Sequence, residues 1–142
     1  MNFPGTVEVF GVPATLEIRG HLFAKKNQRG NDGRHGGRTF ITTEDAAALD
    51  WVILQARHQW AGRPPLRNPA VSVRWYVGAR NRDRDGCWTT LLDCLQKAKV
   101  IVNDNMAQLG GPEFHEPVES VAAAEERVVI TLWSEWRPGG PR

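Results

Sequence analysis

Two aspartates one residue apart, Asp83 and Asp85, stand in the stretch RNRDRDGCW among Arg80, Arg82 and Arg84, and a third, Asp104, follows the apolar run in VIVNDN. Carboxylates held so close repel one another unless a cation sits among them. An all-oxygen donor set suits a hard ion, so Mg²⁺ or Mn²⁺ is the occupant these residues would take, whereas zinc prefers sulfur and imidazole nitrogen. Such an ion activates water and stabilises both oxygens of an in-line phosphodiester displacement. The neighbouring arginines would bind the phosphates that the carboxylates repel. A lone D-x-D pair is equally at home in a solvated acidic loop, so its meaning depends on the elements that position it.

Those elements can be read from periodicity. VSVRWYVG, Val71 to Gly78, alternates as a strand with Val71, Val73, Trp75 and Val77 on one face, and the two aspartates come just past its end. A helix is expected from near Asp85 or Gly86 to about Lys97, because Trp88, Leu91, Leu92, Leu95 and Ala98 recur at helical spacing. Asp85, Thr89, Asp93 and Lys97 then fall on or near another face. Asp93 lies about 12 Å beyond Asp85 along a helix, too far to share an ion, and reads as a supporting or surface acid. Lys97 sits near the helix end, where a positive charge complements the dipole. VIVNDN reads as a short buried strand that delivers Asn103 and Asp104 to a sheet edge.

Upstream, ATLEIRG (Ala14 to Gly20) alternates as a half-buried strand, and RTFIT reads as a second one. Between them lies a basic, glycine-rich loop at about 24–38. From Arg19 to Arg38 there are six basic residues (Arg19, Lys25, Lys26, Arg29, Arg34, Arg38) against the single acid Asp32. Such a segment can approach a polyanion with side chains and bare backbone N–H groups, or be a solvated surface loop. From Thr42, TTEDAAALDWVILQARHQWAG predicts a capped helix with Ala47, Trp51, Leu54 and His58 along the core face. GGPEFHEPVE reads as loose chain, ESVAAAEER as a short helical piece, and RVVITLWSEW as the closing strand. The expected fold is α+β: a small mixed sheet packed against two main helices, in a single domain spanning 1–142.

Composition sets outer limits. The chain has 142 residues, 41% apolar and 24% charged, enough for one core without a disulfide or structural metal. No apolar run approaches the roughly 20 residues of a membrane span, and the N-terminal residues lack a signal-peptide order, which predicts a cytoplasmic protein. Cys87 and Cys94, seven apart on one predicted helix face, read as free, partly buried thiols. The net charge of +2 does not by itself announce a nucleic-acid binder. His21, His35, His58 and His115 have no metal-ligand spacing and read as surface or helix-face residues. Tryptophans can stack on exposed bases, but Trp51, Trp75 and Trp88 fall on inferred core faces, leaving Trp60 and Trp136 less constrained.

RDRDGCWTTLLDCLQKAKVIVNDN is similar to the signature of the RusA-like Holliday junction resolvases, whose pattern runs R-D-x-D-N, then a helix with a lysine and a later aspartate, then an apolar strand ending in D-D. GHLFAKKNQR and RTFITTEDAAALDW also resemble upstream parts of that family, so the likeness extends from about Leu16 to Trp136. The resemblance implies a homodimer that binds four-way DNA junctions and nicks two strands symmetrically with Mg²⁺ or Mn²⁺, in DNA recombination and repair of a bacterial or phage-infected cell. It makes Asp83, Asp85 and Asp104 the metal-binding and catalytic residues. Lys25, Lys26, Arg29, Arg38, Arg82 and Arg84 are the expected DNA contacts. Three positions depart from the pattern: Gly86 stands for the usual asparagine, Thr89 for a lysine, and Asn103 for the first aspartate of the D-D pair. Lys97 is the candidate substitute cation. The alternative is a junction-binding module of the same fold with weak or lost cleavage.

Overall fold

The structure is a computed structural model that describes residues 7–20, 30–31, 39–40, 43–78, 84–102 and 111–139; of these, 30–31, 39–40, 43–45 and 84–86 are described by their backbone alone. In chain order the elements are β1 (Val7–Phe10), β2 (Ala14–Arg19), β3 (Gly30–Asn31), β4 (Thr39–Phe40), α1 (Thr43–Gln59), β5 (Ala70–Val77), α2 (Arg84–Lys97), β6 (Glu113–His115), β7 (Glu119–Ser120), a 3₁₀ turn (Ala123–Glu125), β8 (Arg127–Trp133) and β9 (Glu135–Pro138). The architecture is α+β, a mixed sheet with two helices against it.

The main sheet has the order β2-β8-β5-β6, with β7 also pairing β5. β8 runs antiparallel to both neighbours, while β6 and β7 run parallel to β5. Alternation divides the sheet into two faces. Leu16 and Ile18, Val71, Val73 and Trp75, and Val128, Ile130 and Leu132 form the apolar face, buried in one core with Leu91, Leu92 and Leu95 of α2 and Val52 and Ala56 of α1. The opposite face carries Thr15, Ser72, Arg74, Tyr76 and Thr131, which with Glu116 and Val129 line a cavity of about 200 Å³.

Helix α2 and its stripe agree with the sequence expectation: Trp88, Leu91, Leu92, Leu95 and Ala98 are all buried. Its end is a Schellman turn, in which Val100 N–H donates to Leu95 O (2.9 Å) and Lys99 N–H to Gln96 O (3.1 Å), with Lys99 in the left-handed region at φ 66°. The chain then makes only a parallel bridge between Ile101 and Leu66, so the strand expected over VIVNDN is, among the described residues, a single pairing outside the sheet.

Helix α1 is rotated from its predicted pose. Trp51 and Leu54 are 53% and 54% exposed, Ala47 and His58 are exposed too, and Val52, Ala56 and Trp60 are buried. The core face lies one residue round, about 100° away. Two glutamines one turn apart explain the choice. Gln55 accepts from Arg19 N–H (2.8 Å) and donates to Arg19 O (2.9 Å), and Gln59 does the same with Glu17 (2.9 and 2.8 Å). These four bonds satisfy the outward backbone groups of the edge strand β2, much as another strand would, and close that edge.

Other expectations are corrected. RTFIT contributes Thr39–Phe40 to a two-residue hairpin with Gly30–Asn31, so a short strand lies inside the expected basic loop. GGPEFHEPVE supplies β6 and β7, whose parallel pairing with β5 leaves no hairpin signature in sequence. ESVAAAEER becomes β7 and a 3₁₀ turn. RVVITLWSEW divides into β8 and β9, the latter pairing β1 in a separate two-stranded sheet. Ile130→Ala, at a position with no exposure, is expected to lower unfolding free energy by about 2–5 kcal/mol in urea titration, whereas Leu54→Ala should stay within about 0.5 kcal/mol. Equal losses would return Leu54 to the core face.

Candidate functional site

The register of β8 decides where the segments with chemical character begin. Arg127, its first residue, pairs with Arg19 of β2 on one side and with Tyr76 of β5 on the other. Both neighbours therefore finish at the same end of the sheet. Gly20 follows β2 and leads into the basic segment; Gly78 follows β5 and leads into the segment of Asp83 and Asp85. With strands about 4.8 Å apart, these two roots lie about 10 Å from each other across β8.

Glu126, the residue before β8, joins them. Its backbone oxygen accepts from Gly20 N–H (3.1 Å) and its side-chain Oε2 accepts from Gly78 N–H (2.7 Å). The carboxylate is buried, with Glu126 only 8% exposed. Both glycines are required by this arrangement. Gly20 has φ +113°, and a Cβ on Gly78 would lie 3.2 Å from the Glu126 carboxylate oxygen. No sequence rule singled out Glu126, since an acid before an apolar strand is commonplace.

The start of α2 is fixed from the other side of the sheet. Trp88 Nε1 donates to Glu113 (3.1 Å), and Trp75 Nε1 donates to His115 Nδ1 (2.9 Å). The His115 ring stacks on Trp75 at 6.0 Å and meets Trp88 edge-on at 4.9 Å. With Nδ1 as acceptor, Nε2 carries the ring proton and faces Glu113 at 3.5 Å. The bond to His115 holds the Glu113 carboxyl below its ordinary value, Trp88 adds in the same direction, and burial opposes both. His115 is thus part of an aromatic cluster on a strand, not the bare surface residue its spacing suggested.

The expected site residues fall as follows. Asp83, Asp104, Lys25, Lys26, Arg29, Arg38, Arg82 and Asn103 lie outside the described residues, as do His21 and His35. Arg84 and Asp85 belong to the first turn of α2 by their backbone, and their side chains lie outside the description. Thr89 is exposed on α2. Asp93 is buried, and Lys97 Nζ reaches it at 3.4 Å from the last turn, so the lysine's charge is engaged at the helix end remote from Asp85. Cys87 and Cys94 are buried free thiols. Among the described residues no three His, Cys, Asp or Glu side chains gather to hold an ion, and no helix is long and apolar enough to cross a membrane.

No family model matches the chain, and no curated protein matches it. Glu126→Ala would leave the Gly78 N–H buried without its acceptor, at an expected cost of about 1–3 kcal/mol in unfolding free energy. Glu126→Gln keeps an acceptor oxygen and should recover most of that loss in the same urea titration. Equal losses for both variants would show that charge, not the bond to Gly78, is what this position supplies.

Proposed function

We propose that this protein is a RusA-like, metal-dependent and structure-selective endodeoxyribonuclease that resolves four-way DNA junctions by phosphodiester hydrolysis, acting as a homodimer in the cytoplasm. The observation that carries the proposal is the shared strand end: the basic segment and the double-aspartate segment are rooted at Gly20 and Gly78, on either side of Glu126. A polyanion held by the first would be presented to the second. The gap-free likeness from Asp83 to Asp104 supports the same reading, and buried free thiols suit a reducing compartment.

Asp83, Asp85 and Asp104 form an all-carboxylate set whose chemistry fits Mg²⁺ or Mn²⁺. When bound, such an ion supplies activation of water and neutralises charge developing at the phosphate. Lys25, Lys26, Arg29, Arg38, Arg82 and Arg84 would hold the backbone phosphates, which gives affinity and orientation without reading sequence. A two-fold dimer would present equivalent sites to the two equivalent phosphodiesters of a junction.

A second reading, a junction-binding module without efficient cleavage, is favoured by one feature. Thr89 stands where the resembled family has its lysine, and Lys97, the nearest substitute along the helix, is paired with Asp93.

Asp85→Asn keeps the side-chain size and removes one negative charge from the set. Mg²⁺-dependent nicking of a synthetic four-way junction should be lost, as it should for the wild type in excess chelator, while gel-shift affinity for the junction is retained or increased. Cleavage by the variant at the wild-type rate would overturn the metal assignment. Junction binding with no cleavage by the wild type in Mg²⁺ or Mn²⁺ would establish the second reading. Replacing Lys25, Lys26 and Arg29 together by alanine should weaken junction binding and reduce the slope of log K against log salt by about 0.9 for each phosphate no longer neutralised. An unchanged slope would make the segment a solvated loop.

A further inference from the structure

Trp51 is half exposed on a helix that is otherwise firmly anchored. One turn further along α1, Gln55 makes two hydrogen bonds to Arg19, at 2.8 and 2.9 Å, and these fix the helix against the end of β2. The indole is set beside Gly20: a Cβ there would lie 3.9 Å from its Cδ1 and 4.0 Å from its Nε1. Glycine at this point, already required by φ +113°, leaves that edge of the ring uncrowded. Leu54, also half exposed, extends the apolar surface by one turn.

A large aromatic ring kept in water gains nothing from the hydrophobic effect in the free protein. Its position supplies a reason for it. The residue after Gly20 opens the basic segment, which carries Lys25, Lys26, Arg29, Arg34 and Arg38 against Asp32. The Arg19 side chain before it is 58% exposed, and the exposed acid on the adjoining stretch of α1 is Asp50. An aromatic face at the root of a basic segment is the pairing with which proteins hold unstacked bases, the cations taking the phosphates and the ring taking a base.

We propose that Trp51 is a stacking platform for an unpaired or unstacked nucleobase, so that this surface selects DNA opened at a branch over continuous duplex. The inference rests on the proposed nucleic-acid reading and adds the structural feature of the substrate that is recognised. In a continuous duplex every base is stacked on its neighbours, and the ring has nothing to cover. At a branch point or in a single strand a base face is available.

The test uses the full chain in chelator, with Trp51→Ala and Trp51→Phe beside the wild type. Affinities are measured for a four-way junction carrying 2-aminopurine at the branch, for a single strand, and for a linear duplex of the same sequence. Trp51→Ala should weaken junction and single-strand binding about tenfold and change duplex binding less than twofold. Trp51→Phe should retain most of the affinity, and the 2-aminopurine emission quenched by the wild type should recover in the alanine variant. Unchanged junction affinity in Trp51→Ala overturns the inference while leaving the nuclease reading intact. Equal losses on all three DNAs, together with a lowered melting temperature, would make Trp51 a structural residue and overturn it too. A dimer in sedimentation that Trp51→Ala converts to monomer, with the same DNA selectivity, would assign this face to a second copy. No binding of any DNA by the wild type would overturn both this inference and the reading beneath it.

Discussion

A buried carboxylate at the entrance to the central strand is the constraint on which the working end of this molecule depends. Glu126 receives the N–H of Gly78 on its side chain and the N–H of Gly20 on its backbone, so two chain segments distant in sequence are bonded to one residue. A backbone N–H that turns away from a sheet at a strand end has lost its ladder partner, and burying it unmet would be costly. The carboxylate meets that demand at Gly78, and only a residue without a side chain leaves room for it to do so. The antiparallel register of β8 with both neighbours then makes the coincidence of the two roots a consequence of topology.

The rest of the fold supports that end by dividing the sheet into an apolar and a polar face. Burial of Leu16, Ile18, Val73, Val128 and Ile130 against α2 supplies the cohesive term, since each removes a full side chain from water. The polar face is held by charge and ring contacts: Arg127 lies 3.9 Å over the Tyr76 ring and 3.3 Å from Glu17, and Arg74 pairs with Glu116. These pairs are partly exposed, so their individual worth in stability is small. They do keep long side chains ordered across β2, β8 and β5 at the level where the strands finish.

What could be read from the amino-acid sequence follows from how local each signal is. The stripe of α2 and the alternation of β5 were legible because a single face is apolar and the period is unambiguous. Helix α1 was not, because Trp51 and Leu54 on one face compete with Val52, Ala56 and Trp60 on the next, and the decision was made by Gln55 and Gln59, whose partners are backbone atoms about 40 residues away. The short parallel strands β6 and β7 were missed for a similar reason: two or three residues carry no period, and their pairing with β5 bridges a whole helix. Of the candidate site, the types and spacing of Asp83, Asp85 and Asp104 and the basic segment were visible, since chemistry is written in residue identity. Glu126, Gly20 and Gly78 were not, because their importance lies in a register that no local pattern encodes.

On the proposed reading, the separation of about 10 Å between the two roots has an electrostatic meaning. It is comparable to the Debye length near 0.1 M salt, so charges at the two roots are neither fully screened from each other nor close enough to pair directly. Segments rooted closer together would invite lysine–carboxylate ion pairs that neutralise both functions. Segments rooted several strands apart would leave the carboxylates to repel an incoming phosphate unaided. One intervening strand lets the basic charge draw a polyanion in and offset the repulsion of the aspartates, while β8 keeps the two sets apart. The near-neutral net charge of +2 is then the sum of two opposed local fields, which is why composition alone was silent about the partner.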